Sequence, residues 1–137
     1  SRGADPYRLA AYGALAGMPG FSAVIFAAPL ESAMLFRFGV VLIGFGGVYA
    51  ETLRDVVFAL PPFTAVHARR CVDRLKLRPM LDGQRGKPAA DIDAFCEAAA
   101  RFSVMVDALS NEIREIDINP IIVHETGCTI VDALVVT

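Results

Sequence analysis

Between Asp91 and Leu109 the apolar residues Ile92, Phe95, Ala99, Phe102, Met105, Val106 and Leu109 recur about every 3.6 residues, so they line one face of a helix. A helix with a single apolar stripe must bury it against a second layer of structure, which restricts the chain to a layered fold. Asp91 is suited to cap the helix at its start, and Ser110-Asn111 closes it.

The flanking segments supply that second layer. Residues 22–28 (SAVIFAA) and 36–43 (FRFGVVLI) are short, rich in β-branched and aromatic residues and bounded by Gly and Pro, which predicts buried strands. Pro29-Leu30-Glu31-Ser32 forms the turn between them. Extended character continues through Val48–Glu51 and Val56–Phe58 to a stop at Pro61-Pro62. Thr64 then caps a first helix to about Leu75, and residues 78–90, with two Gly and two Pro, read as a loop. After the second helix the pattern is strand, turn, strand: Ile113 to Val123, Glu125 to Cys128, Thr129 to Val136. Residues 7–17 favour only a short helix interrupted by Gly13 and Gly17, and residues 1–20 form a poorly defined amino-terminal segment. The expected architecture is α/β (α+β), one domain over residues 21–137 with a β-sheet packed against two main helices.

Composition narrows the function classes. Hydrophobic residues make up 55% of the chain and charged residues 20%, which excludes intrinsic disorder and leaves apolar surface for a partner or a homo-oligomer contact. The longest apolar run, Phe38 to Val48, is broken by Gly39, Gly44, Gly46 and Gly47 and falls short of the ~20 residues of a membrane helix, so no membrane span is expected. Cys71, Cys96 and Cys128 are odd in number and lack a CxxC pair; with no signal-type segment at the amino terminus, they fit reduced thiols in a cytoplasmic protein. The opening residue, Ser1, suggests a cut fragment. A net charge of -2 with dispersed basic residues gives no nucleic-acid footprint.

One constellation carries chemistry. Residues two apart on a strand share a face, so Asp117 and Asn119 point one way and Ile116 and Ile118 the other. With the hairpin turning on Thr126-Gly127, Glu125 faces Cys128 and Asp132 faces Ile121, diagonal to Asn119 and within ~7–8 Å, a gap one cation can bridge. Hard oxygen donors without His or Cys suit Mg²⁺, completed by water and phosphate oxygens. On spacing alone, a solvated strand face ended by Asn119-Pro120 is the commoner outcome.

Three motifs in order tilt that balance. Glu115-Ile116-Asp117-Ile118-Asn119-Pro120-Ile121 resembles the E-L/I-D-I/V-N-P-L motif of ATP-grasp acyl-CoA synthetases. Gly44-Phe45-Gly46-Gly47, followed by Glu51, Arg54-Asp55 and Phe58, is similar to that family's G-L-G-G-x-x-x-E-x-x-K/R-D-x-x-F block. Leu81-Asp82-Gly83-Gln84-Arg85-Gly86-Lys87-Pro88 with Asp91 resembles its L-x-G-x-R-G-x-P-x-x-D segment. The resemblance implies the carboxyl-terminal subdomain of an ATP-grasp fold and ADP-forming ligation, which interconverts acid, CoA and ATP with acyl-CoA, ADP and phosphate. It implies Mg²⁺ and ATP or ADP as cofactors, with Asp117, Asn119 and Asp132 at the metal. Gly46, Gly47, Glu51 and Arg85 would lie at the nucleotide phosphates. It also implies partners: the amino-terminal ATP-grasp half and a CoA-binding domain or subunit. His67 and His124 fall in no family motif and are not expected to be the phosphohistidine of that chemistry.

Some positions depart from the pattern. Gly20-Phe21-Ser22-Ala23 and Ala27-Ala28-Pro29-Leu30 stand where the family carries a Glu after its Gly and a Lys-Arg-Asp run, and Ala59 stands where it carries Arg. These substitutions support a second expectation, an ATP-grasp-derived interaction or oligomerisation module without catalysis.

Overall fold

A computed structural model of the chain describes residues 21–29, 39–45, 55–83, 86 and 88–137. Six strands form one sheet among these residues: β1 (Phe21–Pro29), β2 (Gly39–Phe45), β3 (Val56–Ala59), β4 (Glu115–Val123), β5 (Cys128–Ile130) and β6 (Ala133–Val136). The order is β3-β2-β1-β4, with β5 and β6 both pairing along the far side of β4, and every pairing is antiparallel. Two helices, α1 (Ala65–Asp73) and α2 (Ile92–Ala108), pack on each other. The expected sheet-and-two-helix architecture is present. The expected loop over residues 78–90 contains a 3₁₀ turn, Arg78–Asp82, with Pro79 at its start, where a missing N–H costs nothing. The expected helix over 7–17, the turn at 30–32 and the extended segment 48–51 lie outside the described residues.

The helices cover one face of the sheet. Val41, Ile43 and Phe45 of β2, Ala59 of β3, and Ile116, Ile118, Ile121 and Val123 of β4 share one core with Cys71 and Val72 of α1 and Phe95, Ala99, Phe102 and Val106 of α2. Met105, expected on the buried stripe, is exposed, and Ser103 takes a core position instead. A buried hydroxyl needs partners. The Ser103 Oγ accepts from the Phe63 N–H (3.0 Å) and donates to the Ala100 carbonyl (2.7 Å), tying the segment after Pro61-Pro62 to the middle of α2.

The helix starts are capped as the residue types predict: Thr64 Oγ1 accepts from the His67 N–H at 3.3 Å and Asp91 Oδ1 from the Ala94 N–H at 3.0 Å. The end of α1 is held less locally. Asp55, next to β3 and only 5% exposed, accepts the N–H groups of Lys76 (2.9 Å) and Leu77 (2.8 Å) on its two oxygens. Gly44 allows this approach, because a Cβ there would stand 2.7 Å from Val56 Cγ1 and 2.8 Å from the Asp55 carbonyl oxygen.

Asp55→Ala strands two backbone donors behind helix α1. The expected loss is about 2–4 kcal/mol of unfolding free energy, larger than for Asp55→Asn, which keeps one acceptor. Urea denaturation measures it, and an unchanged midpoint for Asp55→Ala would remove this contact from the account of the fold.

Candidate cation site

Strand β4 divides its side chains between two environments. Ile116 and Ile118 enter the core, while Glu115, Asp117 and Asn119 lie half-buried on the sheet face away from the helices. The same outer face carries the exposed Phe58 of β3 and Leu134 of β6, the latter directly opposite Asp117.

Asp132 lies closer to Asn119 than the sequence expectation placed it. The pairs Val123↔Cys128, Ile121↔Ile130, Ile118↔Ala133 and Asp117↔Leu134 keep one constant register, and the Asn119 N–H donates to the Asp132 carbonyl at 3.2 Å. Asp132 therefore lies across from Asn119 and not opposite Ile121. The cause is the turn. Its central residues are Glu125 and Thr126, closed by His124 N–H to the Gly127 carbonyl at 3.0 Å, with Gly127 at φ 80° in the left-handed region that favours glycine.

A second difference concerns Ile121, expected on the same face as Asn119. It is 1% exposed and in the core. Against β1, Ile25 pairs with Ile118 and Ala23 with Ile121, so β4 takes three steps where β1 takes two. The extra residue at Asn119-Pro120 is a bulge, and beyond it the alternation of faces inverts. Proline fits there because it has no N–H to offer the ladder.

The electrostatics of the outer face fit an oxygen-ligated cation. Asp117 Oδ1 and Asn119 Oδ1 are both buried and have no hydrogen-bond partner. Buried acceptors are almost always paired, so two orphans on one face two residues apart call for a donor or a cation. Burial, reinforced by the charges of Glu115 and Asp132, pushes the Asp117 carboxyl up to about 6. Asp132 is exposed, and its Oδ1 accepts the Ala133 N–H at 2.8 Å. Among the described residues no three His, Cys, Asp or Glu side chains gather as a metal cluster. The set is instead two carboxylates and one amide oxygen, the partial shell that Mg²⁺ completes with water and phosphate.

The other sequence-predicted contacts, Gly46, Gly47, Glu51 and Arg85, lie outside the described residues. His67 stacks its ring near Phe63 (5.8 Å between centroids), and His124 Nε2 is 2.9 Å from Thr129 Oγ1. Asp91 does more than cap a helix. Its Oδ2 accepts the Gly127 N–H at 2.8 Å, and its own N–H donates to the His124 carbonyl at 2.8 Å. The cap was legible in sequence as an Asp before an amphipathic run; the bond to Gly127, 36 residues away, has no local signal.

An Asp117 carboxyl raised above the unfolded value of about 3.9 is more stable neutral in the fold. Its contribution to stability is full below about pH 4 and is lost as pH rises through about 6. A cation held on this carboxyl would compete with protons, and its affinity would fall as pH drops below about 6. Asp117→Asn should raise the metal-free melting temperature at pH 7 by a few degrees and flatten that pH dependence. Calorimetric melts between pH 4 and 8 check both; a lower melting temperature for the variant would contradict the burial cost assigned to the charge.

Comparison with known proteins supplies the family. A family model described as an ATP-grasp domain matches residues 36–137, well over half of the chain. A second, described as PUCC protein, matches residues 1–62 and overlaps the first over 36–62. The beta subunit of acetate–CoA ligase (ADP-forming) II from Pyrococcus furiosus is 37% identical over 98 residues, covering 70% of this chain and 42% of that subunit. Protein PucC of Rhodovulum sulfidophilum is 46% identical over 79 residues, covering 50% of this chain and 17% of that protein. A structure of the dinucleotide-forming acetyl-coenzyme A synthetase 1 of Ca. Korarchaeum cryptofilum, in complex with coenzyme A and Mg-AMPPCP, superposes with a TM-score of 0.76 at 30% identity. It covers 88% of this chain and 54% of that one. This chain thus spans about half or less of the ligases it matches. By its family match and its fold, the chain belongs to the ATP-grasp domain family, and it is similar to part of ADP-forming acyl-CoA synthetases.

Proposed function

We propose that the chain works as the carboxyl-terminal ATP-grasp lobe, residues 21–137, of a cytoplasmic ADP-forming acyl-CoA ligase. Its Asp117, Asn119 and Asp132 hold the Mg²⁺ of ATP or ADP. The observation that carries this reading is the pair of buried, partnerless oxygens of Asp117 and Asn119 beside Asp132 on the sheet face that the helices leave open. Bound there, Mg²⁺ would neutralise charge on the nucleotide phosphates. The chain's own residues would orient that charge. Asn119 would accept without adding charge, and Asp117, whose carboxyl burial raises to about 6, carries at neutral pH a charge that a cation would offset. Gly46 and Gly47 would offer backbone N–H groups to phosphate, with Glu51 and Arg85 beside them.

The partial span of the matched ligases supports a reading of the partners. The amino-terminal ATP-grasp half, with its adenine and phosphate contacts, and a CoA-binding domain or subunit lie beyond this chain, so nucleotide binding by the chain alone should be weak. The phosphohistidine also belongs elsewhere. His67 and His124 sit in local contacts away from Asp117 and Asn119, which supports that assignment.

The open face also supports a second reading, an interaction module that keeps the fold without the reaction. Phe58 is 64% and Leu134 55% exposed on it, and Ala59 replaces the Arg of the family motif. The two readings separate by light scattering. A stable homo-oligomer indifferent to Mg-ADP favours the module; a nucleotide-dependent state favours the ligase lobe.

Isothermal titration with Mg-ADP tests the site itself. Asn119→Ala combined with Asp132→Ala should weaken binding at least ~10-fold relative to the unmodified chain. Equal heats from the two proteins would overturn the nucleotide role.

A further inference from the structure

The geometry points to Asp91 as the residue that sets the register of the β4–β5–β6 hairpin and thereby places Asp132 opposite Asn119. The inference rests on the reading of those two residues as cation ligands. The edge strand cannot set its own register. Register is strongly specified where a strand buries one face, yet every residue from Thr129 to Thr137 is exposed. A slip of one residue would carry Asp132 to the opposite face. A slip of two would put it opposite Ile121, where sequence reasoning alone had it.

The turn has to decide, and Asp91 ties it to α2, with one bond to the helix and two to the turn. Its Oδ1 accepts the Ala94 N–H of α2 at 3.0 Å, and its Oδ2 accepts the Gly127 N–H at 2.8 Å. Its N–H donates to the His124 carbonyl at 2.8 Å. The preceding Ala90 N–H is anchored to the Leu81 carbonyl at 2.9 Å, so the clasp is fixed to the helical layer on both sides. The pairings of β5 and of β6 with β4 keep one register, and between them Val131 N–H bonds the Pro120 carbonyl (3.0 Å) and Asn119 N–H the Asp132 carbonyl (3.2 Å). One carboxylate thus couples the start of α2 to the spacing of two side chains on the far face of the sheet.

Asp91→Ser isolates the effect, because serine still caps α2 but one short hydroxyl cannot also reach Gly127. Two measurements on the metal-free and Mn²⁺-titrated chain test it. Hydrogen exchange of the Asn119 and Val131 amides should quicken at least ~10-fold while the α2 amides keep their protection, and the Kd for Mn²⁺ should rise by about 10-fold or more. Hairpin exchange equal to that of the unmodified chain overturns the clasp and leaves Asp91 a helix cap only. A quickened hairpin with unchanged Mn²⁺ affinity overturns its role at the site. If the unmodified chain binds no Mn²⁺ while Asp91→Ser still loosens the hairpin, the clasp holds and the cation reading is what fails.

Discussion

Strand β4 satisfies two incompatible environments within nine residues, and the rest of the structure is arranged around that constraint. Ile116 and Ile118 are buried under the helices, so strict alternation drives Glu115, Asp117 and Asn119 onto the opposite face. No helix among the described residues covers that face, and the Oδ1 atoms of Asp117 and Asn119 are left without partners. The bulge at Asn119-Pro120 then returns Ile121 and Val123 to the core, so the strand buries apolar side chains at both ends while the acceptor oxygens stay on the outer face. A regular strand of the same sequence would have put Ile121 beside Asn119.

The acidic residues of the family motifs turn out to divide the labour. Asp117 and Asp132 face outward at the candidate cation site, whereas Asp55 and Asp91 point into backbone N–H groups and hold connections together. Gly127 and Ala94 donate to Asp91 and hold its carboxyl below the usual range, the opposite direction to Asp117, which burial raises. The same residue type thus serves as an anchor where donors converge on it, and where they do not, burial raises its carboxyl.

The amino-terminal part of the sheet raises a different point. Strand β1, residues 21–29, pairs with both β2 and β4 at the centre of the sheet, yet it precedes the ATP-grasp match, which begins at residue 36, and lies within the PUCC match. The positions that depart from the ligase pattern, 20–23 and 27–30, fall in the same stretch. With those residues in place, β1 still pairs along its length with both β2 and β4.

Much of this was legible before the structure. Apolar periodicity located α2, Gly and Pro bounded β1 and β2, Thr64 and Asp91 marked the helix starts, and the motif around Asp117 and Asn119 singled out the two residues whose oxygens are buried without partners. These signals are local, set by side-chain spacing and by backbone groups within a few residues. Tertiary structure alone decided the bulge that inverts β4 and the clasp by which Asp91 reaches Gly127. It also decided the pairing of Asp132 with Asn119. Each of these depends on where a distant backbone donor or strand lies. An exposed edge strand has no burial pattern of its own from which its register could be read.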